Sequence, residues 1–563
     1  MKRSHEQLSR EEEAFREVGH TTISRAGAWV LVFGFLLLIF AVPSHQLAME
    51  WLTARSEGRA YEPLALRFLQ ALPERSSALQ DTSVTRVERL WVLNRELQTA
   101  MHAYEDALED QSILGMWVRP KVQSVMLQHL GVGTEQVYVG HDRWLFYRPG
   151  LDYVMGPGFL DPARQRQRVA SATDGAVPPQ PDSRLAIWDF HQQLAQRGIE
   201  LVVVPTPVKP SIHPEQFTRR ISFDHHPLQN QSYQQWVANV QAAGIHVFDP
   251  APILYERKIR TGEPQYLATD THWRPDAMDA VAATLADYVR TLLPEKLERQ
   301  TFRRQTVEHS GMGDLALMLD LTHTQEVFPP EPVSIEQVLQ EDGQFWRPRD
   351  GAAVLVLGDS FSNIFSFEPM GWGESGGFAE QIAFYLGCSV DRMIRNDGGA
   401  FATREMLQRD LARGVDRLAG TRVVVWQFAT RELAVGDWRI LPLELRTPEP
   451  STFLALKSGE ELVVSGRVQE ISAVPRPGTV PYRDHIVSLH LVDLPNDAEA
   501  VIYLQSMIDN VWTAAARLRR GQEITVRLQA WQDVVDRYDT INRSELDRLE
   551  LQLEEPNWGQ LQD

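Results

Sequence analysis

Between about residues 135 and 445 the chain alternates short apolar runs with stretches of helical periodicity. Leu201–Val204, Ile245–Phe248, Ala353–Leu357, Val390–Ile394 and Val423–Trp426 are the apolar-rich runs. Such runs, lacking the polar alternation of a half-exposed strand, suit strands buried on both faces of a parallel sheet. Ser183–Arg197 and Ala402–Arg413 place apolar residues three and four apart, as one face of a helix does. Ala277, Val281, Ala282, Leu285, Tyr288 and Val289 do the same, with Pro275 suited to a first helical turn. The alternation predicts an α/β domain, a mainly parallel sheet covered by helices. Pro-rich stretches at 176–181 and 328–332 read as loops, and 335–345 as an insertion.

The pattern changes after Pro448-Glu449-Pro450, a segment suited to a linker. Strand-like runs at Glu461–Ile471, His485–Val492 and Ala500–Leu504 precede a helical pattern over Ser506–Leu518, followed by runs at Glu523–Ala530 and Glu545–Leu553. Three strands, a helix and two strands are the order of a small OB-like β-barrel. Tyr482, Tyr503, Trp512, Trp531 and Tyr538 lie in this part and are assigned mainly to packing.

At the other end, Ala26–Val42 carries no charge and reaches Pro43. Its length of about 17 residues meets the lower limit for crossing a bilayer as a helix. Lys2, Arg3, Arg10, Arg16 and Arg25 precede it, whereas only Arg55 and Arg59 come soon after. The positive-inside rule then puts the N-terminus in the cytoplasm and the body outside. An uncleaved anchor is favoured over a signal peptide, because the leader is long and charged and no small-x-small site comes after the apolar run. Helical periodicity continues from about Pro63 to Leu130. The expected organisation is a cytoplasmic segment (1–25), a transmembrane anchor (26–43), a membrane-proximal helical segment (44–130), the α/β domain (131–447) and the OB-like β-domain (451–563).

A chain of 563 residues exceeds one ordinary core, and a hydrophobic fraction of 43% supports a folded protein. The formal net charge of -19 argues against nucleic-acid binding, which needs Lys and Arg to neutralise phosphates. A single cysteine, Cys388, excludes an intrachain disulfide and a cysteine zinc site. No P-loop, dinucleotide fingerprint or metal-spaced Cys/His cluster occurs, so neither a cofactor nor a metal is expected.

The candidate chemistry sits where the apolar pattern ends. Gly358-Asp359-Ser360-Phe361-Ser362 succeeds the run Ala352–Leu357, and open α/β sheets place their ligands past the carboxyl ends of strands. Upstream lies Asp270-Thr271-His272-Trp273. A serine hydroxyl needs a histidine to take its proton and a carboxylate to orient that histidine. Asp270 and His272, two apart, face one cavity if the segment is extended. Asp359 is assigned to a turn or cap.

These stretches resemble the periplasmic polysaccharide O-acetyltransferases of the alginate type (AlgX/AlgJ-like), which carry an SGNH-hydrolase-like domain. The resemblance rests on Gly140–Tyr147, Val203–Lys209 with His213-Pro214-Glu215, Thr269–Trp273, Gly313-Asp314-Leu315-Ala316, Gly358–Ser362, and Val425-Trp426-Gln427 with Arg431. Its specific part is the order: Asp-x-His-Trp precedes Gly-Asp-Ser, whereas ordinary SGNH hydrolases place Ser first. It implies Ser360 as nucleophile, His272 as base and Asp270 as its partner, moving an acetyl group through an acetyl-serine onto a sugar hydroxyl. Such an intermediate needs an oxyanion hole. The Ser360 N–H, with Asn396 or a glycine amide such as that of Gly398, are the candidates, and Arg431 is a candidate for holding substrate or a carboxylate. The implied partners are a polysaccharide acceptor and a membrane-bound O-acyltransferase that delivers acetyl across the membrane. A polysaccharide acetylesterase, and a non-catalytic scaffold subunit of a polysaccharide export complex, are the alternatives.

Overall fold

The computed structural model describes residues 24–56, scattered positions within 61–108, and 112–562 apart from short stretches that include 172–177, 221–225, Asp397 and 448–452. Much of the helical pattern expected over 63–130, and the Pro448-Glu449-Pro450 linker, lie outside the described residues. The chain divides into two compact units, 1–122 and 123–563.

In the first unit, helix α1 (Arg25–Ser56) is long and apolar enough to cross a membrane, and none of it is buried. It does not stop at Pro43, the expected end, but runs on for another 13 residues to Ser56. A proline inside a helix removes one N–H, and the turns beyond can still close. Here Gln46 Nε2 donates to Glu50 Oε1 one turn later, at 2.8 Å.

The second unit is built on a five-stranded sheet. Its strands are β1 (Glu200–Thr206), β2 (His246–Val247), β3 (Val354–Gly358), β4 (Val390–Ile394) and β5 (Val423–Ala429), in the spatial order β2-β1-β5-β3-β4. Every pairing is parallel. Successive residues of a strand point to opposite faces, and the two faces feed two cores. Val202, Val204, Val354, Val356, Val423 and Val425 pack with Ala277, Val281 and Leu285 of α2 (Pro275–Arg290). Leu201, Val203, Leu355, Leu357, Val424 and Trp426 pack with Ile187, Phe190 and Leu194 on the other side. This explains the continuous apolar runs: neither face of the sheet meets water. Residues 335–339 of the expected insertion belong to an antiparallel pair, Arg303–Gly311 against Glu331–Leu339.

Beyond the sheet domain, β6 (Glu461–Ile471), β7 (His485–Leu494), β8 (Ala498–Ile508), β9 (Glu523–Ala530) and β10 (Asn557–Leu561) close into a ring, β6-β7-β8-β10-β9-β6. The β8–β10 pairing is parallel and the others are antiparallel. This is the expected OB-like barrel with two local corrections. The helix predicted over Ser506–Leu518 shrinks to a 3₁₀ turn, Ala514–Arg517, because β8 extends to Ile508 and turns back at Val511–Trp512. The fifth strand is not Glu545–Leu553. That stretch holds a short helix, Leu549–Leu553, and the barrel is closed by Asn557–Leu561. Its apolar positions, Leu546 and Leu551, are buried beside Val501 on the outside of the ring instead.

The barrel is fastened to the sheet domain by a buried charge cluster. Glu545, whose side chain is 10% exposed, accepts from Arg409 Nη1 at 2.7 Å and Arg543 Nε at 3.0 Å, with Arg395 Nη1 at 3.7 Å. The Arg395 guanidinium also donates to the Arg543 carbonyl. Arg413 closes the short helix by donating to the carbonyls of Gln552, Leu553 and Glu554.

Candidate active site

Parallel strands of matched register bring their carboxyl ends to one edge. Ser360, Asn396 and Arg431 each lie two residues beyond the end of a strand, β3, β4 and β5 respectively. All three line one cavity of about 240 Å³, together with Tyr147, His272, Asp314, Gly398 and Glu432.

Ser360 opens a four-residue helix, Ser360–Asn363, capped by Asp359, whose Oδ1 accepts from the Phe361 N–H at 2.9 Å. The same carboxylate takes Gln427 Nε2 at 2.9 Å and the Ala429 N–H at 2.8 Å, which ties the turn after β3 to β5. Gln427 answers by accepting from the Asp359 N–H and the Ser362 hydroxyl. The turn that carries Ser360 is thereby held from both sides.

His272 Nε2 lies 2.8 Å from Ser360 Oγ, and its Nδ1 lies 2.6 Å from Asp270 Oδ1. All three residues are at most 3% exposed. Asp270 and His272 do not meet through an extended segment as expected. The Asp270 side chain accepts from the His272 backbone N–H at 3.0 Å, a tight turn that brings carboxylate and imidazole of the same loop face to face. Trp273, fully buried, anchors that loop by donating Nε1 to the Phe361 carbonyl at 3.0 Å.

Two partners of this pair were not assigned a role from the sequence. Trp372 Nε1 donates to Asp270 Oδ2 at 2.8 Å, and the Asp314 N–H donates to the same oxygen at 3.0 Å. Asp270 therefore accepts four hydrogen bonds, about the capacity of a carboxylate. Burial pushes its carboxyl up, but the His272 charge and the hydrogen bonds from His272 and the Asp314 N–H outweigh burial and hold it below the usual range. Gly313 permits the approach: a Cβ there would collide with the Thr269 carbonyl. Only Gly313–Ala316 hinted at Asp314, and nothing in the sequence marked Trp372.

Asp314 is buried beside Asp270, with Oδ1 accepting from the Thr271 N–H at 2.8 Å and Oδ2 lacking a hydrogen-bond partner among the described residues. Burial, then the Asp270 charge, push its carboxyl up to about 6. A carboxyl raised in the fold contributes stability below its unfolded value of about 3.9, and loses it as pH rises through the folded value. Asp314→Asn is accordingly expected to leave stability unchanged near pH 4 and to raise it by about 1–2 kcal/mol at pH 8. Thermal denaturation of both proteins at the two pH values checks this. Equal melting temperatures at pH 8 would sink it.

The ligand atoms of Asp270, His272 and Asp314 lie within 4.8 Å of one another, a spacing that could hold a metal ion. Asp270 and His272 already spend these atoms on hydrogen bonds, and Asp314 Oδ2 alone remains.

The remaining candidates surround Ser360. Asn396 Oδ1 accepts from Asn363 Nδ2 at 2.9 Å, which turns the Asn396 amide nitrogen away from Asn363. Gly398 and Gly399 take left-handed φ values of 80° and 70°, and a Cβ on Gly399 would lie 2.9 Å from Glu432 Oε2. The Arg431 guanidinium sits 5.5 Å from the Tyr147 ring and 5.8 Å from that of Phe361, and its Nη1 is buried with no hydrogen-bond partner among the described residues. Lys209 is buried beside Tyr147, Thr271, Phe361 and Arg431, donating to the Leu145 and Ala268 carbonyls at 2.7 and 3.2 Å. Cys388 is buried, and burial pushes its thiol up.

Residues 137–430, more than half of the chain, match the family model described as the SGNH hydrolase-like domain of the acetyltransferase AlgX. The probable alginate O-acetylase AlgJ of Pseudomonas aeruginosa is 26% identical over 312 residues, 54% of this chain and 72% of that protein. Its counterpart from Azotobacter vinelandii is 24% identical over 318 residues, with the same coverage. Among solved structures, the O-acetyltransferase domain of Pseudomonas putida AlgJ aligns with 53% of this chain and 92% of its own, at 23% identity and a TM-score of 0.39. Because the family match covers more than half of the chain and all five strands of the parallel sheet, the chain belongs to the AlgX family of SGNH hydrolase-like acetyltransferases.

Proposed function

We propose that the protein is a membrane-anchored, extracytoplasmic O-acetyltransferase that acetylates an exopolysaccharide through an acetyl-Ser360 intermediate. The observation that carries this reading is the unbroken line Asp270–His272–Ser360, with contacts of 2.6 and 2.8 Å, opening into the cavity. Residues 131–447 would be the catalytic domain and 26–43 the membrane-crossing part of α1.

In the first half-reaction Ser360 Oγ attacks the donor's acetyl carbonyl while its proton passes to His272 Nε2. Asp270 keeps Nδ1 protonated and stabilises the imidazolium. The Ser360 N–H and the Asn396 amide would donate to the oxygen on which negative charge develops, a task in which one donor is typically worth about 10²–10³ in rate. Collapse breaks the bond to the donor's leaving group, which takes the proton from His272. In the second half a sugar hydroxyl attacks the acetyl-serine, gives its proton to His272 and leaves as the ester, and Ser360 regains the proton. The acetyl donor would come from a membrane-bound O-acyltransferase, since acetyl-CoA is cytoplasmic.

The test uses the full chain in detergent with p-nitrophenyl acetate, quenched in acid and read by peptide mass spectrometry. An acetyl group is expected on the peptide containing Ser360 and absent in Ser360→Ala. Equal acetylation of both would remove Ser360 as the nucleophile. Adding an oligosaccharide separates the transferase from the esterase: the first yields a sugar acetate, the second only free acetate.

A further inference from the structure

The cavity at Ser360 is not walled by the sheet domain alone. Val480 and Tyr482, from the segment between β6 and β7 of the barrel, line it together with residues such as Tyr147 and Arg431. Both lie beyond residue 430, where the family match ends. We propose that the barrel supplies the acceptor side of the active site, with Tyr482 as the platform on which a pyranose ring of the acceptor glycan stacks. The inference rests on the transferase reading for the nature of the acceptor.

Three observations support it. First, the segment joins the first and second strands of an OB-like barrel, and that loop, with the face of strands two and three, is where such barrels bind oligosaccharides. Second, the Tyr482 ring is braced. It stacks on His485 with centroids 6.0 Å apart and planes 16° from parallel. His485 is itself fixed at both nitrogens, by Ser506 Oγ at 2.7 Å and Ser544 Oγ at 3.0 Å. A ring held before the ligand arrives loses little freedom on binding. Third, the barrel is clamped in place, since Glu545 draws in Arg395, the residue next to Asn396 in the cavity wall. Arg431 lines the same cavity and brings a guanidinium suited to a hydroxyl or carboxylate of the stacked sugar. Tyrosine suits this place because its face takes the C–H side of a sugar while its hydroxyl stays polar.

The experiment titrates mannuronate hexasaccharide and cellohexaose separately into the full chain carrying Ser360→Ala, so that no turnover occurs, and measures binding by calorimetry. Tyr482→Ala in this background is expected to weaken the better-bound saccharide about tenfold, about the scale of one lost ring contact. Tyr482→Phe, which keeps the ring, is expected to stay within about twofold of the parent. Loss of affinity equal in Phe and Ala, unchanged affinity in Ala, a fall in affinity matched by a fall in melting temperature, or no binding of either saccharide by the parent would each overturn the proposal. Acetylation of Ser360, measured separately on the wild-type chain, reports on the transferase reading, so the two can fail independently.

Discussion

Asp270→Asn is expected to lower turnover of p-nitrophenyl acetate by about 10⁴-fold while the chain remains folded. The carboxylate accepts from His272 Nδ1 at 2.6 Å, from the His272 and Asp314 backbone N–H groups and from Trp372 Nε1. An amide in its place has one oxygen and one nitrogen. The oxygen can keep part of the backbone set, and the NH₂ group then faces an acceptor it needs. If that acceptor is His272 Nδ1, the proton moves to Nε2, which points at Ser360 Oγ and can no longer take its proton. A 10⁴-fold loss corresponds to about 5 kcal/mol of transition-state stabilisation. Because the loop is also tied down by Trp273, whose indole bonds the Phe361 carbonyl, the fold tolerates the change. Steady-state kinetics with a thermal melt as control decide it. A variant within tenfold of wild type would mean that Asp270 does not orient the base, and Asp314, 4.0 Å from Nδ1, would be the carboxylate to replace next.

Glu545→Gln is expected to destabilise the second unit by about 3–5 kcal/mol at pH 7. Removing one member of a buried ion cluster leaves the others charged and desolvated, a larger loss than the net worth of the cluster. Arg409 and Arg395 reach Glu545 from the sheet domain and Arg543 from the barrel, and the Arg409, Arg395 and Arg543 side chains are each at most 8% exposed. Burial pushes the Glu545 carboxyl up, but the three guanidinium groups overcome this and hold it well below the carboxylate range. A depressed carboxyl contributes stability above its unfolded value, about 4.3, and loses it as pH falls toward the folded value. The gap between wild type and Glu545→Gln therefore narrows as the solution is acidified below about pH 4. Urea denaturation at pH 7 and pH 3.5 measures both quantities. A gap of the same size at both pH values would show that the charge of Glu545 is not what fastens the barrel.

The strands of the parallel sheet, the position of Ser360 after β3 and the strand count of the barrel were legible in the sequence because each is a local pattern. A strand buried on both faces must be apolar throughout, and a strand end must give way to a turn, whatever the rest of the chain does. The long apolar helix was legible for the same reason, although its end was not, since Pro43 removes one hydrogen bond without removing the helical preference of residues 44–56. The fifth barrel strand misled because Glu545–Leu553 and Asn557–Leu561 both carry buried apolar residues, and only barrel closure selects between them. The carboxylate and imidazole of Asp270 and His272 were identifiable, but the turn that joins them was not. Trp372 on Asp270, Asp314 beneath the pair and Tyr482 in the cavity wall lie 102, 44 and 210 or more residues from Asp270 along the chain. The sequence alone determined the strands of the parallel sheet and which residue types could do the chemistry, since these come from periodicity and functional-group inventory. The tertiary structure decided which distant side chains meet, because contact across such separations depends on strand register, loop path and the docking of one domain on the other, none of which a local pattern encodes.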